Sequence, residues 1–204
     1  MNQTKLLLLP CSQEETKQLA KDILGILKRD YDLEDQVEIL IPKKRNEIKD
    51  TPKDHRHPLV SDFFADIEAQ VDIGRNQLKD IVRGKHVVLL EQMLTPNRKV
   101  SEGNEQKVSV NDHHMRVRGF LDVIGKVETL QRTLIVPYLA YVRSHSIEKY
   151  EAEGFFQFNS LRLVLKDYVD GGANVLITID PHSEKAAQEA SSLRLDFRSI
   201  NPFQ

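Results

Sequence analysis

The stretch ITIDPHSEK, residues 177–185, ends an apolar run with Asp180, Pro181 and His182 in succession. A carboxylate and an imidazole at this spacing can hold one divalent cation or meet phosphate oxygens. The same triplet also fits an acid capping the next helix beside an ordinary histidine. A second cluster, Arg143, Ser144, His145 and Ser146, follows LIVPYLAY. A guanidinium beside hydroxyls and an imidazole suits a nucleotide phosphate tail, and a solvated loop would read the same way. His113 and His114 follow Asn111 and Asp112. Adjacent helical residues point in different directions, so a surface pair at a helix start is expected rather than a metal pair. DHRH (54–57) lies in a polar stretch and is expected to be solvated. Cys11 has no charged neighbour in sequence to activate a thiolate. No glycine-rich phosphate loop, G-x-S-x-G elbow or CxxC pair is present.

These groups need a scaffold, and its periodicity is readable. Apolar runs at 5–9, 37–41, 86–91, 133–137 and 175–180 read as strands. Most are continuous rather than alternating, as in a parallel sheet covered on both faces. Ser12 and Glu15 form an S-x-x-E capping box before Leu19, Ile23, Ile26 and Leu27, which recur at helical spacing. A second helix is expected from about Asn111–Asp112, carrying Met115, Leu121 and Ile124. A third begins near Asn159–Ser160 and stops at Gly171–Gly172. Strand–helix alternation argues for an α/β three-layer sandwich with a mainly parallel sheet. Residues 42–61 and 97–110, polar and punctuated by proline or glycine, are expected to be long loops. In such a fold ligands collect at the carboxyl ends of the strands, where LPCS (9–12), EQMLTPN (91–97), PYLAYVRSHS (137–146) and DPHSEK (180–185) would share one rim.

Composition narrows the function classes. The 204 residues are 40% hydrophobic and 29% charged with a net charge of −2, which gives no single-signed field for nucleic acid or a membrane surface. One cysteine excludes an internal disulfide framework and fits a reducing compartment. LLLLP is too short for a signal core or membrane span, and a cytoplasmic location is expected.

In order along the chain, several motifs resemble the N-terminal half of the ribose-phosphate pyrophosphokinases, also called phosphoribosyl-diphosphate synthetases. FADIEAQVDI (64–73) is similar to that family's F-[SN]-[DN]-G-E segment, and VRGKHVVLLEQ to its N-V-R-G turn and strand. VNDHHM (110–115) resembles N-D-x-L-M-E. IVPYLAYVRSHS (135–146) resembles V-[IM]-P-Y-[FL]-x-Y-[AS]-R-Q-D, and VLITIDPHSEKAAQ (175–188) resembles the strand leading to D-L-H-[AS]-x-Q. The resemblance implies a phosphoribosyltransferase-like fold and transfer of pyrophosphate from Mg–ATP to ribose 5-phosphate, in nucleotide biosynthesis. By the same resemblance Phe64, Asp66 and Glu68 would meet adenine across a subunit interface. Arg143, with Ser144, His145 and His182, would meet the ATP phosphates, and Asp180 and His182 would hold Mg2+. It implies homo-oligomers, or association with a synthetase, and assigns no catalytic residue.

The chain departs from the family at defined places. Ile67 replaces the glycine before Glu68, Ser144 to Ile147 replace Q-D-x-K, and Lys185 stands where the glutamine of D-L-H-[AS]-x-Q falls. Asp196 is a loose match for a later metal-binding acid. The ribose-phosphate loop of the family's second half, two acids before T-x-G-T, has no match. The expectation is therefore one N-terminal-type domain over 1–204, with the second domain absent and little turnover alone. The rival expectation is a non-catalytic homologue that regulates or scaffolds a synthetase.

Overall fold

The computed structural model describes residues 5–12, 16–48, 57–64, 66, 68–93, 99–101, 104–142, 147–181 and 184–203. Its strands are β1 (Leu6–Pro10), β2 (Val37–Ile39), β3 (Val60–Phe63), β4 (Ala69–Asp72), β5 (His86–Leu90), β6 (Lys99–Ser101), β7 (Asn104–Lys107), β8 (Gln131–Ile135), β9 (Val175–Ile179) and β10 (Asp196–Ile200). Its helices are α1 (Lys17–Tyr31), α2 (Arg75–Val82), α3 (Val110–Ile124), α4 (Ile147–Ala152), α5 (Ser160–Asp170) and α6 (Glu184–Ser192).

The five apolar runs become five strands of one parallel sheet, ordered β10-β9-β8-β5-β1-β2. Successive residues of a strand serve opposite faces. Leu7, Leu9, Val87, Leu89, Leu134 and Leu176 pack with apolar residues of α2, α3, α5 and α6 in one core. Leu8, Val37, Val88 and Leu90 pack against α1 in the other. Each fully buried aliphatic side chain contributes about 1.5–3 kcal/mol, which is why these runs fix the sheet. Cover is uneven. Among the described residues α1 is the helix packed on its face, and Ile179 and Ile200 at the far ends of β9 and β10 are 41% and 51% exposed. No helix of the described residues is long and apolar enough to cross a membrane.

Several local expectations are corrected. α1 starts at Lys17, beyond the Ser12 capping box, and Thr16 Oγ1 instead accepts from the Ser12 backbone N–H at 3.1 Å. Ile26 is 44% exposed, because Leu19, Ile23, Leu24 and Leu27 already fill the buried stripe of α1. Ser109 caps α3, accepting from Asp112 N, so this helix begins just before Asn111. Asn159 caps α5 as expected, and Gly172 takes φ +86° after its end. The expected loop at 42–61 contains a 3-10 turn at Arg45–Glu47 and the start of β3, with Lys43 bridging to Val60. The expected loop at 97–110 contains the antiparallel pair β6–β7. β3 carries two polar residues between Val60 and Phe63, and β6 and β7 together carry a single apolar residue, Val100, so no continuous apolar run marked these strands.

Candidate functional site

The crossover from β1 to β2 runs one way along the sheet, and those from β2 to β5, β8, β9 and β10 run the other. The strand order therefore reverses between β1 and β5, where open α/β sheets form their ligand crevice. The ends of β1, β5, β8 and β9 do share one rim. Cys11 N donates to Leu90 O, Glu91 N to Ile135 O, and Val136 N to Ile177 O, joining neighbouring strand ends at 2.9–3.1 Å.

Beside this reversal, at the end of β5, a set of the chain's own charges is buried. Glu91, just past β5, is wholly buried, and so is His113 on α3. Glu91 Oε2 accepts from Arg116 Nε at 3.0 Å, and Oε1 accepts from Gln92 N at 3.0 Å. His113 Nδ1 lies 3.1 Å from Glu91 Oε1 and 2.7 Å from Arg116 Nη2. It can donate to the carboxylate or accept from the guanidinium, not both at once. Burial, followed by the nearby Glu91 charge, pushes the Cys11 thiol well up, so it is an inert core thiol. The expectation of a surface histidine pair fails here because residues 113, 116, 117, 120, 121 and 124 form the buried face of α3. That stripe carries the overlooked signal: Arg116 shares a face with Val117, Phe120 and Ile124. An arginine on a buried face requires an acid, and Glu91 is 25 residues away in sequence. His57 likewise is part-buried against Asp72 at 2.5 Å rather than solvated; residues 54–56 lie outside the described part.

The β3–β4 hairpin lies over α3. Phe63 sits under the Arg116 guanidinium, 4.9 Å from carbon to ring centroid, so the buried ion pair also anchors the hairpin. Its tip holds Phe64, half exposed, and Asp66 and Glu68, both exposed. Phe64 N donates to Glu68 O at 2.9 Å, and Glu68 N to Asp66 Oδ1 at 3.3 Å. Asp66 and Glu68 face a cleft of about 890 Å³ whose far wall includes Asp112, Met115, Arg118 and Asp167. Met115, expected in the helix stripe, is 57% exposed, on the face of α3 away from its core. The cleft is predominantly acidic.

Gly119 allows the hairpin this close. A Cβ there would stand 3.0 Å from Val71 Cγ2. A single methyl is offset by the helix preference for Ala over Gly, about 0.5–1 kcal/mol. A bulky side chain is not. Gly119→Leu is expected to cost about 1–3 kcal/mol, read as a lowered urea midpoint, with faster amide exchange across the hairpin.

In sequence the remaining expected residues follow β8 and β9. The Tyr141 hydroxyl donates to Asn111 Oδ1, tying the segment after β8 to the start of α3. Asp180 is exposed at the end of β9, with φ +38° and its N–H on Ile200 O. Arg143, Ser144, His145 and His182 lie outside the described residues. The hairpin residues and Asp180 thus occupy separate places: Asp66 and Glu68 line the α3 cleft, and Asp180 does not. Asp196 is corrected. It opens β10, opposite Val175, at the end of the sheet away from the rim, and pairs with Arg198 at 2.6 Å. It cannot join a metal site at the strand ends.

Two histidines make the fold acid-sensitive. His114 is held below the usual histidine range chiefly by burial, although the carboxylate of Asp167, 3.1 Å away, pulls the other way. Burial does the same to His86, which meets Thr133 Oγ1 at 2.9 Å. The unfolded chain, with histidines near 6.5, therefore takes up protons before the folded chain does. Stability is fully present above that value and falls as pH drops below it. Urea midpoints measured downward from about pH 7.5 to about pH 5.5 are expected to decline, less steeply in His114→Gln.

A six-stranded parallel sheet with helices on both faces and a strand reversal beside its central strand defines an α/β fold of the phosphoribosyltransferase-like kind. The fold is similar to the crystal structure of phosphoribosylpyrophosphate synthetase from Mycobacterium smegmatis, with a TM-score of 0.64 and 16% identity. The likeness covers 97% of this chain and 49% of that one, so the chain spans about half the length of this neighbour. At that identity the likeness is one of fold. By sequence, no protein-family model and no curated protein match the chain.

Proposed function

We propose that the chain is the ATP-binding half of a ribose-phosphate pyrophosphokinase-like protein. The observation that carries this is the fold likeness over nearly the whole chain to one half of such an enzyme. The ordered motifs at the ends of β8 and β9 and on the β3–β4 hairpin support it. In this reading Phe64, Asp66 and Glu68 receive adenine, within a homo-oligomer, and Arg143, Ser144, His145 and His182 meet the phosphates. Asp180 and His182 hold Mg2+. An exposed carboxylate at a strand end fits that ion, which is usually bound by one or two carboxylates together with substrate phosphates. Mg2+ would neutralise phosphate charge, and the residues around it would orient the phosphate tail; transfer of this type depends on positioning more than on covalent help. Ribose 5-phosphate belongs to a second domain.

Two observations favour the alternative, a non-catalytic synthetase-associated regulator or scaffold. Beside the strand reversal Glu91 is buried against His113 and Arg116, and the cleft beside Asp66 and Glu68 is acidic. Neither attracts a polyphosphate. Thermal unfolding separates the two, because a ligand that binds the folded chain raises its midpoint by mass action. A midpoint that rises with Mg–ATP and Mg–ADP supports the ATP-binding half. An unchanged midpoint, with co-purification of an active synthetase, supports the scaffold.

A further inference from the structure

A second cleft lies at the other end of α3, away from the rim, with a volume of about 520 Å³. Its floor is aliphatic, made by Val71 of β4, Leu78 of α2, and Val123 and Val127 at the end of α3. Arg75, Lys79 and Lys126 stand around it, all exposed. Arg75 and Lys79 are one turn apart on the same face of α2, where like charges repel. Neither makes an ion pair among the described residues. Among the described residues Lys126 pairs with Asp122, four residues earlier on the exposed surface, an arrangement that holds a lysine weakly. The one carboxylate in the lining, Asp72, is engaged by His57 at 2.5 Å and by Gln70 at 2.6 Å.

We propose that this cleft binds a phosphorylated small molecule with a compact apolar body. The phosphate lies between Arg75 and Lys79, with Lys126 opposite, and the body rests on Val71, Leu78, Val123 and Val127. Three cations match a dianionic phosphate better than a single carboxylate, and each can donate charge-assisted hydrogen bonds. The aliphatic floor rewards an apolar group that inorganic phosphate lacks. The volume falls within the usual range of small-molecule sites, about 300–1,000 Å³. This site is independent of the ATP-binding proposal, since it shares none of the residues named there.

Residue-resolved NMR of the full chain, titrated with phenyl phosphate and separately with inorganic phosphate, tests it. Saturable shifts at Arg75 to Lys79 and Val123 to Val127 are expected, stronger for phenyl phosphate. Arg75→Ala with Lys79→Ala, both on exposed positions, should weaken binding at least about tenfold, the loss of one good charge-assisted contact. Arg75→Lys should retain most of it. No saturable shift, equal affinity for inorganic phosphate, or undiminished binding by the double variant would overturn the proposal.

Discussion

Arg116→Leu is expected to lower the unfolding free energy by about 3–5 kcal/mol, because it strands the Glu91 carboxylate in the core. A small domain has about 5–15 kcal/mol in all, so the loss is a large fraction of its stability. Glu91→Leu should cost a similar amount by stranding the guanidinium. The double replacement should recover most of either loss, since a buried ion pair exchanged for apolar side chains is often neutral or stabilising. Urea denaturation of the two single variants and the double variant gives the coupling directly. If both single changes cost under about 1 kcal/mol, the pair is exposed to water in solution and the description of the buried charges is wrong. Loss of Arg116 should also remove the cation above Phe63, so that amide exchange rises across β3 and β4. The ion pair thereby links core stability to the placement of Phe64, Asp66 and Glu68.

The second large effect concerns the phosphate-binding residues proposed from sequence. Arg143→Ala and His182→Ala should each weaken Mg–ATP binding by about ten- to a hundredfold, the equivalent of one hydrogen bond to a charged group at about 1.5–3 kcal/mol. Arg143→Lys should restore charge without the planar fork and recover only part of the loss. Neither change should alter the unfolding free energy by more than about 0.5 kcal/mol if both positions are solvent-accessible, as surface substitutions usually behave. An equal loss of binding and stability would mean that they support the fold instead.

What was legible in the sequence follows from what each segment buries. β1, β5, β8 and β9 carry continuous apolar runs because both faces of the sheet are packed around them, and such runs are hard to miss. β10 is an edge strand whose Asp196, Arg198 and Ser199 are exposed, so its composition reads as polar. In the β3–β4 hairpin only Val60 and Ser61 are fully buried, so it gives no strong period-2 signal. The rim at the strand ends was inferable from alternation of strand and helix alone. Its contents were not. Glu91, His113 and Arg116 look like surface residues one at a time, and only the contact between β5 and α3 makes them a buried set. Asp196 shows the opposite error: an acid that matched a motif loosely lies at the wrong end of its strand.

The proposal that the strand-end rim binds a magnesium nucleotide is tested most directly by calorimetric titration of the chain with ATP, with and without Mg2+. Saturable one-site binding that requires Mg2+ is expected, weakened in Asp180→Asn, which removes the charge proposed to hold the ion. No measurable heat at millimolar Mg–ATP, or binding indifferent to both Mg2+ and Asp180, would contradict it.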